Sequence, residues 1–486
     1  MIFLDEARRD AVGLTFVLNE LSADSPFGDI LIRQAGVYGK DEKKKLTDEF
    51  YNISRVLSYI KTADNNLNDL RRTLMRFKNI SNIMKKLKVN YLHEIELFEV
   101  KSFLLNIGKL AKAFSEMNKT ARLRGIGFID MDAALDILDP EKKRIAPFHL
   151  SELQSGALFA ARKEKSDVEG LLRTEKSSSI LEELKIRRLE IAAKEEDAET
   201  GLKIELSNRL RPYLPDFAEN IKAAGKLDFT IQKALLAEKY GAVCPEIKEG
   251  GVEFLDMINP EVDDVLRKNN KSFTPVSISL SSGTTLLTGA NMGGKSVAVK
   301  TAVLNVCLCH MGFFVFAAKA SMPLFDGVCL ISEDLQSISS GLSSFGAEIR
   351  CLDEIVKKSK SEYLFIALDE LARGTNPEEG AIIVRAVAGY FDTLKSITVM
   401  TTHYDNIADG SFCHYQTSGL KNLDFRKLSG KAENSAGLIS EYMDYRLIKV
   451  DGRADPPKDA LNICRLLALD EDILAAVEEK YNKNIV

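Results

Sequence analysis

The 486-residue chain has no tryptophan, no Cys-x-x-Cys pair, no apolar run of membrane-spanning length and no surplus of positive charge. Each absence removes a class of reading. The seven cysteines (Cys244, Cys307, Cys309, Cys329, Cys351, Cys413 and Cys464) are odd in number and form no zinc or redox spacing. Several lie in apolar helix or strand patterns, which points to buried, reduced thiols in a cytosolic protein. The opening MIFLDEARRD places acidic residues early and contains no export-type apolar region, so a cytoplasmic protein with no membrane partner is expected. A net charge of −5 supplies no global basic field for nucleic acid, although local basic faces can coexist with an acidic total. The missing tryptophan removes one stacking residue and decides nothing else. There is no internal repeat and no low-complexity tract.

Against these absences stands one dense motif. Gly289-Ala290-Asn291-Met292-Gly293-Gly294-Lys295-Ser296 fits G-x-x-x-x-G-K-[ST], the phosphate-cradling P-loop. Thr284 to Thr288 before it is a short β-prone run, and Ser296 to Met311 after it reads as a largely buried helix. The glycines free the backbone to approach an anion, and the first helical N–H groups then face the phosphates. Lys295 is expected to neutralise the β/γ-phosphates and the Ser296 hydroxyl to complete the shell of a Mg²⁺ ion. The competing reading, a glycine-rich turn with a solvated lysine, explains neither flank.

Residues 1–145 show helical periodicity and are expected to form a helical core domain. Apolar residues recur at three- and four-residue steps from Phe50 to Met84 and again from Leu97 to Phe114. Residues 146–240 are expected to form a lever-like antiparallel helical arm. Ser151 to Arg173 is helix-like, Thr174 to Ser178 allows only a turn, and Ser179 to Leu210 is a heavily charged helix on the order of 50 Å long. Ser179-Ile180-Leu181-Glu182 fits a capping box at its start. A charged surface helix folded back on the body is the alternative to an arm. From 241 to 450, buried apolar runs (Gly327–Ile331, Tyr363–Leu368, Ser396–Met400) alternate with helical stretches, as in an α/β domain with parallel strands. Residues 451–486 contain the Asp451-Gly452…Pro456-Pro457 breaker, then one or two helices over Asp459 to Tyr481.

Phe365-Ile366-Ala367-Leu368-Asp369-Glu370 is an apolar strand ending in two carboxylates, the Walker B pattern. Asp369 is expected to support Mg²⁺, and Glu370 to polarise the water that attacks the γ-phosphate. Thr401-Thr402-His403 follows the next strand and puts an imidazole, able to sense the γ-phosphate, at the same sheet edge.

Together, the P-loop, Asp369-Glu370-Leu371-Ala372-Arg373-Gly374-Thr375-Asn376 and Thr402-His403-Tyr404 resemble the ATPase domain of the MutS family, a branch of the ABC-type ATPases. Ala290 and Val297 depart from the family's usual Pro and Thr without removing a phosphate ligand. Gly341 to Glu348 resembles the serine-bearing signature segment, with Ser343 at the serine position, and Phe273 falls where the family places an aromatic side chain over adenine. The resemblance implies an α plus α/β chain: an all-helical core and lever region, then a P-loop ABC-type α/β ATPase domain, then a terminal helical dimerisation segment. It implies ATP and Mg²⁺ held by Phe273, Gly289, Asn291, Met292, Gly293, Gly294, Lys295, Ser296 and Asp369. Glu370, His403 and Ser343 would be the catalytic set. It also implies a homodimer, or a heterodimer with a MutS-like paralogue, in which Ser343 completes the other subunit's site.

A mismatch sensor of this family also carries a mismatch-reading domain, a connector and a clamp, for which residues 1–240 leave no evident room; the arm tip at 174–178 is too short for a clamp. Short members of this shape resemble the reactivating factors of adenosylcobalamin-dependent lysine 5,6-aminomutase, and Ala372 to Gly380 has the wording of a divergent subfamily. Two partner classes therefore follow from the sequence: a cobalamin-dependent aminomutase to be remodelled, preferred at this point, and mismatched or branched DNA.

Overall fold

The computed structural model describes residues 4–62, 64–148, 150, 156–289, 293–332, 344–404, 407, 410–419, 444–450, 461, 464 and 469–483. The helices in chain order are α1 (Glu6–Ala11), α2 (Leu14–Asn19), α3 (Pro26–Arg33), α4 (Lys43–Ile60), α5 (Asp64–Leu74), α6 (Ser81–Val89), α7 (Glu94–Ala121) and α8 (Asp132–Leu138). They continue with α9 (Gly156–Thr174), α10 (Ser178–Leu210), α11 (Leu214–Tyr240), α12 (Pro260–Lys268), α13 (Lys295–His310), α14 (Ser344–Ser359), α15 (Pro377–Asp392) and α16 (Glu471–Lys483). Strands are confined to the second half: β1 (Glu246–Ile247), β2 (Val252–Met257), β3 (Val276–Leu280), β4 (Gly283–Thr288), β5 (Lys319–Met322), β6 (Gly327–Ile331), β7 (Leu364–Leu368), β8 (Ile397–Thr401), β9 (Cys413–Gly419) and β10 (Asp444–Val450).

Two compact units result: one of Met1–Leu21, Gly36–Phe50 and Lys233–Val486, the other of Ser22–Ala35 and Tyr51–Gln232. This division differs from the expected breaks at 145/146 and 240/241. The early segments 1–21 and 36–50 belong with the strands because of long-range polar contacts that no local periodicity reports. Lys233 Nζ donates to Glu49 Oε1 at 2.9 Å with both side chains buried, and the Tyr38 backbone exchanges hydrogen bonds with His310. Arg8 Nε donates to the Leu330 carbonyl on β6.

In the strand-bearing unit, a six-stranded sheet runs in the order β10-β9-β4-β8-β7-β6, parallel except for the edge pair β10–β9. A four-stranded mixed sheet has the order β1-β5-β2-β3. Strands β4, β6, β7 and β8 are buried at every position, as expected of parallel strands covered on both faces. On one face Leu286, Ile366, Leu368 and Met400 pack with Leu352 and Ile355 of α14 and Val384, Ala388 and Phe391 of α15. Helix α13 runs against β6 and β8 with residues outside that cluster. Strand residues of the other parity, Phe365, Ala367 and Val399, are buried as well.

The second unit is helical among the described residues. Phe27, Phe77, Phe103 and Phe217 meet edge-on or tilted at 5.5–6.1 Å and fill its centre. The long helix α10 pairs with α9 in antiparallel sense. Arg162 meets Glu195 and Glu199, Lys165 meets Glu195, and Glu169 meets Arg188, so that these partners fall along one helix as they rise along the other; Glu164 also meets Arg187. The expected capping box at Ser179–Glu182 does not form. The helix starts at Ser178, and Glu175 Oε1 instead accepts the N–H groups of Lys176 and Ser177 at 2.8 Å each. The carboxylate orders the turn just ahead of the helix, and the Ser177 side chain at the N-cap makes no capping bond to the first-turn N–H groups. Of the expected terminal segment 451–486, the description covers α16 and a few residues before it.

Candidate active site

The central strand β4 ends at Thr288, and Gly289 follows with φ 134°. Gly294, at φ 79°, then turns the chain into α13, whose first residue is Lys295. Such an abrupt strand-to-helix turn needs left-handed backbone, which glycine adopts freely. The first-turn N–H groups of α13 have no partners within the helix and are oriented for an anion. Lys295 is buried, and its Nζ donates to the Gly289 carbonyl at 2.9 Å. Burial pulls its pKa down, opposed by the nearby charges of Glu370 and Asp369. A polyphosphate beside this ammonium would reverse the desolvation effect.

Ser296 Oγ donates to Asp369 Oδ1 at 2.9 Å. Asp369 stands at the end of β7 and is buried, and desolvation raises its pKa against hydrogen bonds from Thr401 and Ser296. A hydroxyl and a carboxylate sharing one edge suit a small hard cation, which holds few protein ligands and completes its shell with phosphate oxygens and water. Among the described residues no cluster of three or more His, Cys, Asp or Glu could hold a metal by itself, and magnesium bound with a nucleotide requires none.

A cleft of about 630 Å³ brings the predicted residues together. Phe273, Gly293, Gly294, Lys295, Ser296 and Glu370 all line it, joined by Lys271 and Tyr445, which the sequence reading did not single out. Gly294 is also where space is short, since a β-carbon there would lie 3.0 Å from the Tyr445 ring. His403 is placed differently. It is exposed after β8, stacks against Tyr404 at 4.3 Å between ring centroids, and is not among the described residues lining the cleft. Asn291, Met292 and Ser343 lie outside the described residues.

Three further residues hold the carboxylate turn and had gone unassigned. Thr401 bonds both Asp369 and the Glu370 N–H; Glu348 of α14 accepts the Ala372 N–H at 3.2 Å; the Tyr404 hydroxyl donates to the Ala372 carbonyl at 2.7 Å. Arg373 pairs with Glu370 at 2.9 Å. A β-branched polar residue at the last position of a buried strand was the available signal for Thr401. Tyr445 and Glu348 are distant in sequence and gave none.

Residues 285–436, the stretch holding most of this geometry, match the family model described as MutS domain V. That stretch is similar to MutS domain V. Named relatives point the same way. The chain is 29% identical over 301 residues to "Endonuclease MutS2" of Thermomicrobium roseum, covering 59% of this chain and 35% of that protein. It is 30% identical over 231 residues to "Endonuclease MutS2" of Leuconostoc mesenteroides, covering 46% and 28%. It is 27% identical over 276 residues to "DNA mismatch repair protein Msh3" of Dictyostelium discoideum, covering 55% and 19%. The matched stretch therefore spans about a third or less of the length of these relatives. The matched stretch contains most of β4, strands β5–β9 and helices α13–α15, and with them Lys295, Ser296, Asp369, Glu370 and His403. Phe273 and Tyr445, on either side of the matched stretch, complete the cleft. Among the described residues no helix is long and apolar enough to cross a membrane.

Proposed function

We propose that the chain is a MutS-type ATPase that binds magnesium ATP in the cleft of its MutS domain and couples hydrolysis to movement acting on DNA. One observation carries the ATPase reading: Lys295, Ser296, Glu370 and Phe273 line a single cleft, with Asp369 hydrogen-bonded to Ser296 at its base. Lys295 and the first turn of α13 would bind the phosphates, Ser296 and Asp369 would hold the cation, and Phe273 would stack on the base. The bound cation would withdraw charge from the phosphates as the leaving oxygen develops. Glu370, at the cleft wall, is suited to orient and deprotonate a water. Ser343 and His403 keep the roles that the family resemblance implies, within a homodimer or a dimer with a paralogue.

The names of the relatives, an endonuclease and a mismatch repair protein, favour DNA as the partner class. They lend nothing to the reading toward an aminomutase, which DNA replaces as the better-supported partner.

Nucleotide binding and turnover of the purified chain test the ATPase reading. Lys295→Ala is expected to weaken ATP binding roughly 100-fold or more, while Glu370→Gln should bind ATP as the wild type does and lose about 100-fold or more in turnover. ATP binding by Lys295→Ala at wild-type strength would move the site out of this cleft, and normal turnover by Glu370→Gln would remove Glu370 from the base role.

A further inference from the structure

We propose that Thr401 is the positioning residue of the hydrolytic site, its one hydroxyl fixing both the cation-holding carboxylate and the backbone of the candidate base. The inference rests on the ATPase reading above and deepens it. Thr401 ends β8, the strand lying between β4, which leads to the phosphate loop, and β7, which leads to the two carboxylates. It sits opposite Leu287 of β4 in the parallel register. Its side chain is fully buried.

The hydroxyl is used in both directions. Thr401 Oγ1 donates to Asp369 Oδ1 at 2.7 Å and accepts the Glu370 N–H at 2.8 Å. Asp369 Oδ1 is the same oxygen that accepts from Ser296. Were a cation to draw the Ser296 hydroxyl away, Thr401 would remain as a donor that keeps the carboxylate oriented. The second bond acts on the base. Glu370 has φ 52°, a left-handed conformation that a side-chain-bearing residue adopts at a cost of about 1–2 kcal/mol. Ala372, at φ 62°, is left-handed too, and its peptide groups are held by Glu348 and Tyr404. Strain of this kind persists only where the surroundings over-determine it. At Glu370 the Thr401 hydroxyl holds the backbone N–H while Arg373 pairs with the carboxylate, which lines the cleft.

A control lies on the same strand. Thr398 is fully buried, and its hydroxyl has no hydrogen-bond partner among the described residues. Thr398→Val and Thr401→Val make the same chemical change three positions apart, so a general loss of strand packing would affect both.

The experiment measures magnesium-dependent ATP turnover of the whole chain in wild type, Thr401→Val, Thr401→Ser and Thr398→Val. Thr401→Val is expected to lower kcat about 10- to 100-fold while KM for ATP stays within about three-fold, because a hydrogen bond to a charged group is lost and the phosphate loop is untouched. The Mg²⁺ concentration giving half-maximal turnover should rise. Thr401→Ser should keep kcat within about three-fold of wild type, since the hydroxyl is restored. Wild-type turnover in Thr401→Val, or an equal loss in Thr401→Ser and Thr401→Val, would overturn the positioning role while leaving the ATPase reading in place. A wild-type protein without magnesium-dependent hydrolysis would overturn both.

Discussion

Gly289 shows how tightly the end of β4 is packed. A β-carbon built there would lie 2.0 Å from Thr417 Oγ1 on the neighbouring strand β9, and the backbone is at φ 134°. Contact and conformation both oppose any larger residue. Gly289→Ala is therefore expected to destabilise the folded chain by about 2 kcal/mol or more, read as a lower denaturant midpoint at unchanged slope. Thr417→Ala in the same background removes the Oγ1 contact but leaves the Thr417 Cβ and N at 3.1 and 3.2 Å and the backbone strain, so it should recover only part of the loss. Full recovery would assign the whole effect to the contact, and no initial loss would show that the loop relaxes freely. The glycine was visible in the sequence as the first residue of a phosphate loop. Its second constraint was not, because Thr417 meets it only after β9 has paired with β4.

Helix α13 combines a start suited to an anion with a buried, titratable end. His310 closes it, and a positive imidazole at a helix C-terminus gains from the dipole up to about 2 kcal/mol in favourable geometry. Burial wins nonetheless, pushing the His310 pKa down to about 4. The hydrogen bonds agree with a neutral ring. The Phe325 N–H points at Nε2, at 3.2 Å, so Nε2 must accept and Nδ1–H donates to the Tyr38 carbonyl. Protonation would set two donors face to face. Because the folded value lies below the ordinary value near 6.5, the unfolded chain binds more protons between about pH 6.5 and 4, and stability falls as pH drops through that window. At pH 5 the loss from this one residue comes to about 2 kcal/mol relative to pH 7.5. Unfolding at the two pH values should show His310→Gln losing less stability on acidification than wild type by that margin. Equal losses would take His310 out of the acid response.

Other elements differ in how openly the sequence declares them. Strands β4, β6, β7 and β8 are apolar throughout because both faces are covered, and each was readable as a run. Strand β9, Cys413–Gly419, is nearly all buried yet reads as polar, and only some of its groups find partners inside: His414 Nε2 meets Thr288 Oγ1 at 2.7 Å, and the Tyr415 hydroxyl bonds the Ser279 backbone. No hydrophobic pattern could reveal it. The small sheet hid for another reason, its strands being short and half exposed, as in β2. At the site, Lys295, Ser296, Asp369 and Glu370 were legible because a loop and a strand end carry them as local motifs. Thr401 left only the faint signal of a polar residue ending a buried strand, and Glu348 and Tyr445 left none, because only the paired strands and packed helices bring them there.

For the molecule as a whole, the open choice is what the proposed ATPase acts on, and charge makes the alternatives separable. The chain carries 66 Lys and Arg against 71 Asp and Glu, a net −5, so any hold on DNA must come from local basic surface. Binding of that kind releases counterions, and its affinity falls linearly with salt on logarithmic axes, with a slope set by the number of phosphates contacted. If DNA is the partner, heteroduplex or branched DNA should raise the ATPase rate at low salt. Raising salt from 50 to 200 mM should then weaken binding by about ten-fold or more even for a handful of phosphate contacts. The Lys295→Ala variant should keep the salt-dependent DNA binding while losing the stimulated turnover, because nucleotide and DNA would be held by different surfaces. A wild-type ATPase that ignores every DNA structure at low salt, yet responds to an adenosylcobalamin-dependent aminomutase, would reverse the choice of partner. The cleft around Lys295 and Glu370 would remain the proposed nucleotide site in that case, since the geometry behind that proposal does not depend on what the site drives.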